Sequence, residues 1–144
     1  MESVQVKWVD KMIFEGESRG LTTLMDAKKP FGDDSAMTPK EMVLAGLCGC
    51  TGMDVVALLK KFKQPKAESF TVTVEAQVTK GHPIVFSGAH LFYRFTGELD
   101  VEKVIEAVSL SKNQYCGVSA MLGKAFPITY SVELNGQVVE DSRD

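Results

Sequence analysis

The chain is poor in the residues on which most enzyme chemistry is built. Its 144 residues include two histidines, three cysteines and one tryptophan. With only His82 and His90, and no G-x-S-x-G, no Ser-His-Asp set can be assembled. There is no C-x-x-C pair and no H-E-x-x-H helix. Cys48 and Cys50 form a C-x-C, but on a helix they project about 200° apart and cannot share one ion. No metal site and no cofactor are therefore expected. Gly46, Gly49 and Gly52 fall inside a predicted helix, where the amides are already bonded, so they form no phosphate loop. The net charge of -3 gives no electrostatic reason to expect nucleic acid. The start of the chain lacks the basic residues and continuous apolar run of a signal peptide. The longest apolar stretch, Met42 to Met53, is too short to span a bilayer, and Asp54 follows it. These absences point to a cytoplasmic protein without membrane contact. Three cysteines in that compartment are not a disulfide framework, so any disulfide would be transient and catalytic.

What is present suits one domain, 1–144, with disorder expected only at the tail Glu140–Asp144. Val4, Val6 and Trp8 alternate with polar residues as in a half-buried strand. Met12–Glu17 and Leu21–Asp26 continue a meander with bends at Gly16 and Gly20, and 27–36 reads as a loop. A helix then opens on Thr38 as N-cap, Pro39 at the first position and Glu41 completing a capping box. It should run to about Phe62, roughly 36 Å, with Lys60, Lys61 and Lys63 at its cationic end. Its middle is apolar all round, which implies cover on every side. Its glycines imply close approach of another backbone, because each costs up to about 1 kcal/mol relative to alanine. Phe70–Val78 alternates cleanly as a strand, and Ile84–Phe95 is a second, bulged at Gly88, with Leu91, Tyr93 and Phe95 on one face. Asp100 caps a helix over Val101–Leu110 whose apolar face is Val101, Val104, Ile105 and Val108. A third helix is predicted over Asn113–Phe126, then a strand over Ile128–Leu134 and a hairpin turn at Asn135–Gly136. The order is α+β with antiparallel sheet. One small domain cannot cover such a helix, so a homodimer with these helices at its centre is expected.

Two cysteines stand out. Cys50, inside the long helix, reads either as an inert core thiol or as half of a redox pair. Cys116 lies next to a predicted helix start, a setting that favours the thiolate.

The run Pro39-x-Glu41-Met42-Val43-Leu44-Ala45, with Gly49-Cys50-Thr51-x-Met53-Asp54-Val55-Val56 and then Leu110-Ser111-(x3)-Tyr115-Cys116-x-Val118-Ser119, resembles the OsmC/Ohr family, the osmotically inducible and organic hydroperoxide resistance proteins. The Gly16-Glu17-Ser18 strand end and the Tyr115-Cys116 helix look most like its short YhfA-like branch. The resemblance implies an OsmC-like α+β fold: antiparallel sheet, a long buried central helix and an intertwined homodimer. It implies that Cys50 is the peroxidatic cysteine and Cys116 the resolving one, that organic hydroperoxides are reduced, and that an external dithiol is the reductant. The family's activating glutamate falls on Lys40 here, with Glu41 one place later, and Arg19 is the only early arginine. Glu41 is thus either a catalytic partner or only a cap, and Arg19 either catalytic or an exposed turn residue. The alternative function on the same fold is binding of a small apolar or electrophilic ligand without peroxidase activity.

Overall fold

The computed structural model describes residues 1–144. The chain forms two compact units, Met1–Ala45 and Gly46–Asp144. In the first, β1 (Gln5–Asp10), β2 (Ile13–Ser18) and β3 (Leu21–Met25) make the predicted antiparallel meander. The second hairpin turns on Arg19 and Gly20, with φ of 57° and 81°, between the paired Ser18 and Leu21. Two successive left-handed residues are what a tight two-residue hairpin requires. The loop that follows is organised by buried Asp26. Its carboxylate accepts hydrogen bonds from the amides of Ala27, Asp33 and Ser35 and from the Ser35 hydroxyl. These bonds hold its pKa below the usual carboxylate range. Gly32 is obligatory here, because a Cβ would fall on the Ala27 carbonyl and the Asp26 carboxylate.

The predicted capping box is present. The Thr38 amide donates to Glu41 Oε1 at 2.9 Å, and the Glu41 amide to Thr38 Oγ1 at 3.2 Å. From it runs α1 (Pro39–Lys61), with Lys60 and Lys61 in its last turn. All 23 residues together are long and apolar enough to cross a bilayer by length and composition, which corrects the expectation drawn from the shorter run Met42 to Met53. The helix is nevertheless used as a core element: Leu47, Thr51, Val55, Leu58 and Leu59 form one buried stripe at helical spacing. Within the chain the cover is one-sided, since Met53 and Val56 remain 75% and 57% exposed. Nor does another backbone approach the helical glycines. Gly46 and Gly49 face open space, and Gly52 meets only the side chains of Val72 and Phe70.

The second unit is built on a four-stranded sheet in the order β4 (Ser69–Val78), β5 (Phe86–Thr96), β6 (Ile128–Leu134), β7 (Gln137–Asp141). The sheet is antiparallel except between β5 and β6, which pair in parallel. A parallel neighbour needs a crossover, and the helical segment between them supplies it. The β4–β5 bulge falls beside Gly88, where Gln77 pairs with Gly88 but Val78 with Phe86. Leu91, Tyr93 and Phe95 do face the core, against Val55, Leu58 and Leu59 of α1 and Val132 of β6. In α2 (Val101–Leu110), capped by Asp100, the buried residues are Val104, Ala107 and Val108. Of the predicted apolar face, Val101 is exposed and Ile105 only half-buried, and Ala107 joins Val104 and Val108 in the core.

The predicted third helix is the main correction. Ser111–Tyr115 continues α2 as a π-helical turn, and α3 is only Gly117–Leu122, capped by Cys116 itself. The tail is also more ordered than expected. β7 extends through Asp141, whose carboxylate is gripped by the Arg143 guanidinium at 2.7 and 3.0 Å.

Candidate active site

The two predicted cysteines meet. Sulfur atoms of Cys50 and Cys116 and a carboxylate oxygen of Asp54 all lie within 4.8 Å of one another. Each comes from a distinct local cause. Cys50 and Asp54 are four residues apart on α1 and so project from one face. Cys116 arrives through the π-helical turn. Its amide donates to the Ser111 carbonyl at 2.8 Å, five residues back, and this wider turn sets Ser111 and Cys116 one above the other.

Behind the sulfurs runs a chain of buried hydroxyls. Ser111 Oγ donates to Asp54 Oδ2 at 3.0 Å. Thr51 Oγ1 lies 2.7 Å from Ser111 Oγ and 2.7 Å from the Tyr93 hydroxyl. Once the single Ser111 hydroxyl proton goes to the carboxylate, the remaining donors are ordered: Tyr93 donates to Thr51, and Thr51 to Ser111. Three dipoles then point at Asp54 and reinforce one another in a low-dielectric interior. Burial drives the Tyr93 phenol well above its usual pKa, so it stays a donor.

The expectation that Cys116 gains thiolate character from a helix start is not met. Burial is the dominant effect, and the neighbouring Cys50 sulfur and Asp54 carboxylate add to it. The single amide bond from Ser119, at 3.3 Å, offsets them only in part, and the thiol is pushed up to about 11. Cys48 is separate from this cluster. It lines an apolar groove of ≈ 590 Å³ with Gly52, Met53, Val56, Phe70 and Val72, and burial raises its pKa.

The other two predicted site residues are in the first unit. Glu41 is engaged in the capping box, and the Thr38 amide it accepts from holds its pKa down. Arg19 is exposed in the β2–β3 turn and makes no ion pair or side-chain hydrogen bond within the chain. His82 sits in a turn as expected. His90 is buried in β5 with its ring nitrogens on the hydroxyls of Thr129 and Ser131. Sequence reasoning missed Asp54, Thr51, Ser111 and Tyr93. A signal existed for Asp54: an acidic residue one helical turn after Cys50 in an otherwise apolar run.

A long apolar helix packed on a four-stranded sheet, with its cysteine set against a second cysteine from a π-helical turn, defines an α+β protein with a paired-thiol site. The chain belongs to the OsmC family: the family model described as OsmC-like protein matches residues 32–131. It is 38% identical over 132 residues to Protein YhfA of Escherichia coli K12, covering 90% of this chain and 96% of that protein. Among solved structures it resembles an OsmC-like protein from Mycoplasma pneumoniae, with a TM-score of 0.80 at 12% identity, covering 93% and 96% of the two chains. It also resembles an organic hydroperoxide resistance protein OsmC from Legionella pneumophila, with a TM-score of 0.69 at 18% identity, covering 92% and 96%.

Proposed function

We propose that the protein is a thiol-dependent peroxidase acting on organic hydroperoxides, with Cys50 as nucleophile and Cys116 as resolving thiol. The observation that carries this reading is the convergence of the two sulfurs within 4.8 Å. In the first step the Cys50 sulfur attacks the terminal peroxide oxygen. The O–O bond breaks, the alcohol leaves with the proton, and Cys50 becomes a sulfenic acid. In the second, Cys116 displaces the hydroxyl of that sulfenic acid, its own proton leaves with it as water, and a Cys50–Cys116 disulfide forms. An external dithiol then reduces the disulfide by exchange and is itself oxidised. No cofactor is needed for any step.

Arg19, from either chain of the dimer, is the candidate cation for stabilising the Cys50 thiolate, and it makes no ion pair within its own chain. Glu41 is assigned to the helix cap. The working form is a homodimer in the cytoplasm. Support comes from exposed apolar residues in each unit, Trp8 and Leu21 in the first and Met53 and Val56 in the second. A second reading, binding of a small apolar ligand without turnover, is favoured by the groove beside Cys48.

Stopped-flow oxidation with cumene hydroperoxide and with hydrogen peroxide, with free thiols counted before and after, separates the two. The expected result is faster oxidation by the organic peroxide, loss of two thiols per chain, and a Cys50–Cys116 link on peptide mapping with Cys48 free. No thiol loss, or a Cys48–Cys50 link, would leave the ligand-binding reading. Arg19→Ala should slow alkylation of Cys50 at neutral pH; an unchanged rate removes Arg19 from the site.

A further inference from the structure

We propose that Cys50, Asp54 and Cys116 form a binding site for a thiophilic divalent cation, with Zn²⁺ the best chemical match. The sequence argument against a metal rests on the scarcity of histidine, on the absence of C-x-x-C and H-E-x-x-H, and on the divergence of Cys48 from Cys50 along the helix; it does not weigh Asp54 or Cys116 as ligands. The fold instead unites Cys50 with Asp54 through the helical repeat and with Cys116 through the π-helical turn. Two sulfurs and a carboxylate are a donor set that zinc accepts, and thiolates select against Mg²⁺ and Ca²⁺.

The geometry is close to what is required. Bonds of about 2.3 Å to sulfur and about 2.0 Å to oxygen place tetrahedral ligand atoms roughly 3.3–3.8 Å apart. The observed separations of at most 4.8 Å call for a contraction that side-chain rotation can supply. The carboxylate is already oriented from behind. Ser111 holds Oδ2 at 3.0 Å, and Thr51 and Tyr93 brace Ser111. Such outer partners are a recurring feature of metal sites. No cation of the chain competes for the carboxylate: Asp54 makes no ion pair, and its one side-chain hydrogen bond is to a neutral hydroxyl. On binding, each thiol gives its proton to solvent, two S–metal bonds and one O–metal bond form, and the fourth position remains for water. No oxidation state changes. Two-electron oxidation to the disulfide consumes both thiolate donors, so the ion occupies only the reduced protein. This inference does not rest on peroxidase activity.

The test uses full-length protein, stripped with a chelator and fully reduced by a phosphine, titrated with Cd²⁺ alone and then with Zn²⁺ in competition. The expected result is one ion per chain, with a thiolate-to-cadmium ultraviolet charge-transfer band that Zn²⁺ displaces. Cys48→Ser should keep the stoichiometry and the band. Cys50→Ser and Cys116→Ser should each weaken binding by about 100-fold or more, and Asp54→Asn by about tenfold or more. Protein oxidised to the Cys50–Cys116 disulfide should bind no ion. Far-ultraviolet circular dichroism checks that each variant folds, and Cys116→Ala replaces Cys116→Ser if the latter does not. Failure of the reduced wild type to bind micromolar Zn²⁺ overturns the proposal. So does an affinity indifferent to Cys50 or Cys116, or an Asp54→Asn protein that binds like the wild type.

Discussion

Cys48 and Cys50 are the same residue type, two positions apart on one helix, in opposite circumstances. Cys50 faces Asp54, Cys116 and the hydroxyl chain. Cys48 faces a mostly apolar groove that Phe70 and Val72 also line, and burial there disfavours its thiolate. The half-turn between them comes only from helical geometry. A thiol's chemistry is thus set by the direction of its Cα–Cβ bond, and a sequence motif such as C-x-C misleads when its helix is ignored. The polar face is paired and satisfied, with no buried side-chain polar atom left without a partner. The apolar face is open.

The largest expected effect breaks that contrast outright. Cys50→Ser should abolish peroxide turnover, whereas Cys48→Ser should leave the rate near wild type and cost about 1 kcal/mol of stability or less. Peroxide consumption with a dithiol reductant reads the first, and chemical denaturation the second. If Cys48→Ser removes the activity and Cys50→Ser spares it, the roles assigned to the two faces are reversed.

The open face gives the next test. Met53 is 75% exposed and Val56 57% exposed on a helix with few charges, and the homodimer reading covers both with a second chain. A charge there would be buried unpaired, a change that costs roughly 3–5 kcal/mol when no partner is available. Met53→Asp should therefore convert the dimer to monomer in sedimentation at micromolar concentration. A wild-type protein that sediments as a monomer would show instead that this face is open in solution.

On the satisfied face, Thr51→Val keeps the shape and removes one hydroxyl. Tyr93 and Ser111 then each lose a partner, and the loss should be about 1–3 kcal/mol in urea denaturation. The same substitution should lower the Cys50–Cys116 disulfide yield only modestly, because Ser111 still holds Asp54. A loss within experimental error would mean that water replaces the hydroxyl.

How much of this was legible in the sequence follows from the range of each interaction. The helix start at Thr38, the strand faces of Leu91, Tyr93 and Phe95, and the Asn135–Gly136 turn are written within a few residues, and all three appear where local rules place them. The π-helical turn has no local signature. It satisfies the Cys116 amide on Ser111 while Ser111 packs under Thr51, a contact spanning 60 residues. Cys50 and Cys116 stand out from their local settings, and their roles as nucleophile and resolving thiol come from resemblance to a family. Asp54 was visible only as the residue ending an apolar run, since its meaning depends on the π-helical turn bringing Cys116 to it. The parallel β5–β6 pair was hidden for a similar reason: strand direction is fixed by a crossover, which alternation does not record.

The smallest effect concerns Glu41, for which sequence left two roles open. In the structure its Oε1 accepts from the Thr38 amide while its own amide donates to Thr38 Oγ1. The reciprocal bond and the exposed amides of the first helical turn favour the carboxylate, and its pKa is lowered accordingly. A group with a lowered folded pKa contributes stability above its unfolded value, about 4.3 for glutamate, and loses it as pH falls through the folded value. Glu41→Gln keeps an oxygen acceptor and removes the charge. The variant should melt slightly below wild type at neutral pH, and the difference should vanish in acid below the folded pKa. Peroxide turnover should be unchanged, because the side chain is committed to the cap. Thr38→Ala, which removes the reciprocal acceptor, should cost more, about 1 kcal/mol. A Glu41→Gln protein with wild-type melting and a large loss of turnover would move Glu41 from the cap to the thiol site.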